Sequence, residues 1–163
     1  MADAVAFSET GGDKAERYRE LAPQLASLVD GEPDLVANLA NAAAALRACI
    51  EAASWVGFYI VRGGELVLGP FQGNVACVRI AMGRGVCGTA AAERRTLIVR
   101  DVEAFPGHIA CDAGSRSEIV VPIVRRGELV AVLDVDSYAL AAFDDADAAG
   151  LERVAEILGE LAW

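Results

Sequence analysis

The sequence has few basic residues and no long apolar run. Its 14 lysines and arginines stand against 24 aspartates and glutamates, which gives a net charge of −10. Nucleic acids and anionic membrane surfaces are bound through basic surfaces, so we expect neither as a partner. No apolar run reaches the roughly 20 residues of a membrane-spanning helix. Residues 1–10 include Asp3 and Glu9 where a signal peptide would have basic and apolar regions, and we therefore expect a cytoplasmic protein.

Repeats, linkers and low-complexity segments are also missing. A chain of 163 residues without them has the size of one domain with its own core. We place this domain at residues 14–163, after a flexible N-terminal tail, residues 1–13, that contains Gly11 and Gly12.

Cysteine is scarce, and no two cysteines form a C-x-x-C pair; the four are Cys49, Cys77, Cys87 and Cys111. In the cytoplasm these thiols would be reduced at rest, and a disulfide among them would be transient, catalytic or redox-sensing. The thiols and the single histidine, His108, are too scattered along the chain to suggest a zinc site. We expect no resident metal or cofactor.

Hydrophobic periodicity predicts an α+β fold. The predicted helices cover residues 14–29, 34–52 and 86–94, and a last helix begins after an N-cap at Asp144 or Asp145. The predicted strands cover residues 54–61, 65–71, 75–80, 97–99, 119–124 and 129–135, with two hairpins among them. We expect an antiparallel sheet with the N- and C-terminal helices packed on one face and ligand-binding loops on the other.

Residues 105–118 are the segment most suggestive of chemistry. Pro106, Gly107 and Gly114 exclude a regular helix or buried strand and predict an ordered loop. Cys111 lies in this loop and Glu118 at its end, so a partly exposed thiol would have a proton-carrying group nearby. The alternative is an unreactive cysteine packed under the loop.

Other candidates lie on predicted strands and helices. Asp134 and Asp136 share one face of a strand, as do Trp55 and Tyr59, although strand-end acids are often solvated and strand aromatics are often core. Cys87 lies in the first turn of a helix, a position expected to lower the pKa of a thiol. Cys49 is interpreted as a helical core residue.

Several motifs together resemble those of the free methionine-(R)-sulfoxide reductases, which have the GAF fold. They are Trp55-Val56-Gly57-Phe58-Tyr59, Gly69-Pro70-Phe71-Gln72-Gly73, Ala76-Cys77-Val78-Arg79-Ile80, Gly85-Val86-Cys87-Gly88-Thr89, the loop from Phe105 to Asp112, Ser117-Glu118-Ile119-Val120-Val121-Pro122 and Leu133-Asp134-Val135-Asp136-Ser137. The resemblance extends over nearly the whole chain beyond the tail. It departs at Tyr138, where that family leads us to expect proline.

The resemblance implies a role for each candidate residue. Cys111 would attack the sulfoxide sulfur and become a sulfenic acid, and Cys77 would resolve it by forming a disulfide. Cys87 would be a second resolving or relay thiol. Glu118 and Asp136 would act at the sulfoxide. Asp134, Trp55 and Tyr59 would bind the substrate, with His108 outside the catalytic set.

The same resemblance implies the partners. They would be free L-methionine-(R)-sulfoxide as substrate, thioredoxin as reductant and a second copy of the chain in a homodimer. The alternative function is a non-enzymatic GAF module that binds a small molecule or senses redox state, because a fold does not determine a function.

Overall fold

A computed structural model describes residues 12–163. The predicted tail lies outside the described residues except for Gly12 and Asp13. The side chain of Asp13 accepts a hydrogen bond from the backbone N–H of Glu16 and caps the first helix. No helix within residues 12–163 is long and apolar enough to cross a membrane.

Four α-helices form where the periodicity predicts them: α1 is Lys14–Val29, α2 Leu35–Cys49, α3 Gly85–Glu93 and α4 Asp145–Gly159. Helix α1 continues through Pro23, α2 is capped by Asp34, and α4 begins with a capping box between Asp144 and Asp147. Helix α2 ends at Cys49 rather than at residue 52, and Cys49 is half-buried on it.

Six strands form one antiparallel sheet, in the order β3-β2-β1-β6-β5-β4. They are β1 Trp55–Arg62, β2 Glu65–Gln72, β3 Arg79–Ala81, β4 Leu97–Val99, β5 Ser117–Arg125 and β6 Glu128–Ser137. The chain positions of β1 and β6 at the centre bring an early and a late segment into contact.

The sheet has a different apolar cluster on each face. Strand residues that point one way pack with helices α1, α2 and α4 in the larger cluster, which includes Phe58, Leu133 and Ile119. Residues that point the other way, among them Trp55 and Tyr59, pack with α3 in the smaller cluster. The predicted layering is confirmed, and α3 shares the second face with the loops.

Helices α1 and α4 are joined by a buried polar group. The carboxylate of Asp147 accepts hydrogen bonds from Lys14 Nζ at 2.6 Å and from the Tyr18 hydroxyl at 2.8 Å. Lys14 Nζ also donates to the backbone oxygen of Ala142. Asp147 is 2% exposed, so its charge depends on these donors.

The prediction of a strand at residues 75–80 is wrong for its first half. Strand β3 begins at Arg79, and Cys77 lies in the irregular segment before it. Val75 is 86% exposed there, so the apolar residues do not mark a buried strand. The predicted disruption at Gly69 and Pro70 is a register irregularity, with β2 continuing to Gln72.

Candidate active site

A pocket lies on the face of the sheet that α3 and the loops cover. Strands β1, β6 and β5 form its floor, α3 forms one wall, and the segments around Cys77 and Cys111 form the rest. All eight residues proposed from the sequence line it: Trp55, Tyr59, Cys77 through its bond to Cys111, Cys87, Cys111, Glu118, Asp134 and Asp136. The free volume inside is about 40 Å³, and the mouth is partly open.

Strand register explains why the acidic and aromatic side chains meet. Asp136 on β6 is paired with Trp55 on β1 and with Glu118 on β5. Asp134, two residues earlier on β6, is paired with Gly57 and therefore points to the same face. A side chain at Gly57 would collide with the Trp55 ring, so glycine lets that ring lie across the floor.

Cys77 and Cys111 form a disulfide at the edge of the pocket, with their Cα atoms 5.4 Å apart. The segments that carry them are 34 residues apart in the sequence. The pairing implied by the family resemblance is therefore present. It also rules out a zinc site built from Cys77 and Cys111 in this state, because a disulfide sulfur is not a thiolate ligand.

Burial raises the pKa values of all three acids. Glu118 and Asp134 are each 6% exposed, and the pKa of Glu118 is well above its ordinary value because of burial and the neighbouring acids. Burial raises the pKa of Asp134 to about 6, and burial with the Asp134 charge raises the pKa of Asp136 well above its ordinary value. The alternative of solvated strand-end acids is excluded for Asp134.

The prediction of a lowered pKa for Cys87 is wrong. Its thiol is in the first turn of α3 but only 4% of the residue is exposed, and burial raises the pKa well above its ordinary value. The nearby acids add to the shift, and Cys87 Sγ donates to Glu118 Oε1 at 3.7 Å. Loss of solvation outweighs the favourable field of one short helix.

Cys87, Glu118 and Asp134 are the one set whose donor atoms lie close enough to hold a metal ion among the described residues, within 4.8 Å of one another. All three have raised pKa values, mainly because of burial. A metal ion would need them deprotonated. The set is therefore better suited to holding protons than to holding a cation.

His108 lies beside Glu118, with Nε2 3.8 Å from Oε2. Burial lowers the pKa of His108, and Glu118 is protonated at neutral pH because its pKa is raised. The pair is therefore neutral at pH 7 rather than an ion pair. His108 lines the pocket although it was left out of the predicted catalytic set.

The aromatic residues have two roles in the geometry. The rings of Trp55 and Tyr59 lie with centroids 6.1 Å apart and line the pocket. Their polar atoms hold the segment that carries Cys77: Trp55 Nε1 donates to the Asn74 backbone oxygen at 3.0 Å, and the Tyr59 hydroxyl donates to the Cys77 backbone oxygen at 2.9 Å. These rings are thus part of the second apolar cluster and of the pocket.

Sequence reasoning missed a polar contact between the two cysteine segments. The Tyr138 hydroxyl donates to Asp112 Oδ2 at 2.9 Å, and Asn74 Nδ2 donates to the Tyr138 hydroxyl at 3.0 Å. Ser115, also missed, has its hydroxyl 3.4 Å from Asp136 Oδ1. The available signal was the position of Asn74 and Asp112, three residues before Cys77 and one after Cys111.

The chain is similar to GAF domains over most of its length. Residues 34–160 match the family model described as GAF domain. The chain is 50% identical over 159 residues to GAF domain-containing protein A of Dictyostelium discoideum, an alignment that covers 97% of this chain and 99% of that protein.

Two relatives are also named for an activity. The free methionine-R-sulfoxide reductase of Escherichia coli K12 is 46% identical over 142 residues, covering 87% of this chain and 86% of that protein. The solved structure of free methionine-R-sulfoxide reductase from Neisseria meningitidis, in complex with its substrate, is 52% identical with a TM-score of 0.90. That match covers 95% of this chain and 93% of the solved chain.

Proposed function

Since the chain belongs to the GAF domain family and, within it, to the free methionine-R-sulfoxide reductases, we propose that it reduces free L-methionine-(R)-sulfoxide to methionine. The observation that carries this proposal is the Cys77–Cys111 disulfide at the edge of a pocket with three buried or partly buried acids. A disulfide of this kind is the oxidised product of a two-thiol reductase.

In the first step, the Cys111 thiolate attacks the sulfoxide sulfur. A protonated Glu118 or Asp136 donates to the sulfoxide oxygen and reduces the charge that develops on it. The oxygen is transferred to Cys111 as a sulfenic acid, and the substrate sulfur gains two electrons and is released as methionine. The Cys77 thiol then attacks Cys111, a disulfide forms, and water leaves.

The unequal pKa values support a division of labour among the acids. The pKa of Asp134, about 6 because of burial, leaves this side chain mainly ionised at pH 7. Glu118 and Asp136 have pKa values raised well above the ordinary range by burial, so they retain protons for the sulfoxide. Asp134 Oδ1 is buried without a hydrogen-bond partner, and the ammonium group of a free amino acid would supply one.

The Trp55 and Tyr59 rings would contact the methyl-sulfoxide end of the substrate. Sulfur packs favourably against aromatic rings, and both rings line the pocket beside the acids. A free amino acid would fit between this wall and Asp134. A methionine sulfoxide within a polypeptide has no free ammonium group, so we expect little activity on it.

A dithiol reductant must reopen the disulfide after each cycle. We assign this role to thioredoxin, which would attack the Cys77–Cys111 bond at the pocket edge. Cys87 as a second resolving or relay thiol stays a prediction, and its buried thiol beside Glu118 would need loop movement to reach the disulfide. A cycle that depends on reduced thiols suits the cytoplasm, the location we propose.

We also propose a homodimer through the N-terminal helices. Val36, on α2, is 60% exposed, and a groove lined largely by alanine and Gly150 runs between α1 and α4. Close-packed small residues suit helix contacts between copies. Analytical ultracentrifugation would measure the mass, and a monomer at micromolar concentration would contradict this part of the proposal.

A coupled assay tests the function directly. We expect NADPH consumption with thioredoxin, thioredoxin reductase and the free R-sulfoxide, and much slower consumption with the S epimer. The Cys111→Ser variant should reduce the rate to background, while Cys49→Ser, outside the pocket, should keep the wild-type rate. Full activity in Cys111→Ser, or equal rates with both epimers, would contradict the proposal.

A further inference from the structure

A cluster of three side chains at the pocket rim connects the two segments that carry the disulfide cysteines. Asn74 precedes Cys77 by three residues, Asp112 follows Cys111, and Tyr138 follows strand β6. The Tyr138 hydroxyl is 2.9 Å from Asp112 Oδ2 and 3.0 Å from Asn74 Nδ2, and Asn74 Nδ2 is 3.4 Å from Asp112 Oδ2. We name Asn74, Asp112 and Tyr138 the rim cluster.

Each member of the rim cluster is attached to a different part of the pocket. The backbone oxygen of Asn74 accepts from Trp55 Nε1 on the floor. The other carboxylate oxygen of Asp112 accepts from the backbone N–H of Gly114, at 2.9 Å, within the Cys111 loop. The rim cluster therefore joins the Cys111 loop to the Cys77 segment through Tyr138.

Tyr138 itself is held at the end of the central strand. The neighbouring Ser137 is buried, and its hydroxyl accepts from the backbone N–H of Ala139, while Ser117 donates to the Ala139 oxygen. The Tyr138 ring also packs on Gly114, where an added Cβ would lie 2.9 Å from Cε1. The hydroxyl thus extends from a fixed point, although half of the residue is exposed.

The electrostatics favour these contacts. The backbone N–H of Gly114 and the Tyr138 hydroxyl lower the pKa of Asp112, and the bond to Asp112 raises the pKa of Tyr138. At neutral pH, a neutral hydroxyl therefore donates to an ionised carboxylate. Hydrogen bonds to charged groups are stronger than those between neutral groups.

We propose that the rim cluster is a positioning device for the resolving step. When Cys77 and Cys111 are not bonded to each other, the covalent connection between their segments is absent, but the rim cluster can still form. It would keep the Cys111 loop beside Cys77 and so raise the effective concentration of the Cys77 thiol at the Cys111 sulfenic acid. Tyr138, Asp112 and Asn74 act through Cys77 and Cys111 and do not themselves contact the reacting sulfur atoms.

The step itself is the one in the proposed function, on which this inference rests. The Cys77 sulfur displaces hydroxide from the Cys111 sulfenic acid, the disulfide bond forms, and water leaves with the thiol proton. No further oxidant or reductant enters. Hydrogen peroxide can produce the same sulfenic acid by oxidising the Cys111 thiolate, with hydroxide released, so the resolving step can be started without the sulfoxide.

The decisive variant is Tyr138→Phe, which removes the hydroxyl and keeps the ring on Gly114. Reduced protein is mixed with hydrogen peroxide, quenched with acid and analysed by mass spectrometry, which separates sulfenic acid from disulfide. We expect closure of the disulfide to be about three- to tenfold slower, the range for loss of a partly solvated, charge-assisted hydrogen bond. Oxidation of Cys111 should proceed at the wild-type rate.

Two further variants test whether the three side chains act together. Asn74→Ala should slow closure, and its combination with Tyr138→Phe should slow it less than the product of the single effects, because both remove the same cluster. Thr96→Val is the matched control: it removes an exposed hydroxyl that donates to Glu152, away from the pocket. It should leave closure unchanged.

The outcomes separate this inference from the function it rests on. Wild-type closure in Tyr138→Phe would overturn the role of the rim cluster, and so would equal slowing of oxidation and closure, which would indicate a general disturbance of the loop. A second arm replaces peroxide with one equivalent of free methionine-(R)-sulfoxide. If wild-type protein then releases no methionine but closes normally after peroxide, the proposed function fails while the role of the rim cluster stands.

Discussion

Individual side chains in the pocket differ in how firmly they hold their protons. Asp134 has a pKa near 6 because of burial, whereas Glu118 and Asp136 have pKa values raised further above the ordinary range. An acid with a high pKa in a dry site can act as a proton donor at neutral pH. The proton that the sulfoxide oxygen needs can therefore come from the site itself.

The first prediction concerns Glu118→Gln. Glu118 is protonated below its raised pKa, so activity that uses this proton should fall as the pH rises through that pKa. Glutamine cannot release the proton, and we expect kcat/KM to fall by about 10²–10⁴-fold, with the alkaline decline attributable to Glu118 removed. Steady-state rates between pH 5.5 and 9.5 would measure it.

Glu103→Gln is the control, because Glu103 is exposed and does not line the pocket. It should reproduce the wild-type pH profile. An unchanged alkaline decline in Glu118→Gln would mean that another group supplies the proton.

The second prediction compares Cys87→Ser with Cys77→Ser. Because Cys87 lies outside the disulfide and its pKa is raised by burial, Cys87→Ser should keep turnover within about tenfold of wild type, the cost of altering one buried hydrogen bond. Cys77→Ser should release one methionine per chain rapidly and then turn over slowly with thioredoxin.

Single-turnover and steady-state assays distinguish these two patterns. Rapid first turnover followed by failed recycling in Cys87→Ser would instead support the predicted relay role of Cys87.

Residue identities in the pocket were more predictable than residue properties. The i, i+2 spacing of Asp134 and Asp136 is sufficient to put both on one face of a strand. The pKa of Cys87 was not predictable in this way, because a helix N-terminus and burial act in opposite directions. The helix effect is typically about 0.3–1 kcal/mol, whereas full burial shifts a pKa by up to about 3–5 units. The extent of burial is a property of the folded chain.

At the level of elements, helix α3 is fixed closely against the edge of the sheet. A Cβ at Gly88 would collide with the backbone oxygen of Ala81 in β3. The glycine permits the close approach that brings Cys87 into the second apolar cluster. The position of the pocket wall therefore depends on the absence of one methyl group.

The third prediction follows from this contact. Gly88→Ala should lower the free energy of unfolding by about 1–3 kcal/mol, because the backbone of β3 or α3 must shift. Urea denaturation followed by circular dichroism would measure the change. Ser27→Ala, on the exposed side of α1, should remain within about 0.5 kcal/mol of wild type. A stability of Gly88→Ala equal to that of Ser27→Ala would contradict the close packing.

Among the elements, the hairpins and terminal helices were predictable because their patterns are long and bounded by turn residues. The segment around Cys77 was not. Its alternating apolar residues satisfy the strand pattern, but a disulfide and two hydrogen bonds from the floor, one to Asn74 and one to Cys77, determine its path. Contacts between distant segments outweigh local preference there.

For the whole molecule, the disulfide state is a closed state. The pocket has about 40 Å³ of free volume, and one water molecule needs roughly 10–15 Å³ on the same measure. This space suits a few water molecules and is too small for an amino acid. The Cys111 loop must therefore move away from the floor before substrate can enter, and reduction of the disulfide would permit that movement.

The fourth prediction is that oxidised protein binds substrate poorly. Isothermal titration calorimetry with free methionine-(R)-sulfoxide should give an affinity at least about tenfold weaker for the oxidised wild type than for the Cys77→Ser/Cys111→Ser variant, which cannot form the bond. Oxidised Cys49→Ser is the control and should bind as weakly as the oxidised wild type. Equal affinities in the oxidised and disulfide-free proteins would contradict closure.

The overall layering was predictable because each strand alternates and each terminal helix has one apolar stripe. The proposal that residues 14–163 form a single domain is supported by the one sheet to which they contribute. The pairing of β1 with β6 brings Trp55 beside Asp136 over more than 80 intervening positions, and the sequence alone carries no signal for this register.

The polar group between α1 and α4 has a consequence for chemical labelling. Lys14 is the one lysine in the sequence, and its amine contacts Asp147, Asp144 and the backbone of Ala142. Acylation of that amine would remove its charge and leave the Asp147 carboxylate without its cation. Reagents directed at lysine would therefore act on the attachment of the first helix to the last, rather than on an inert surface group.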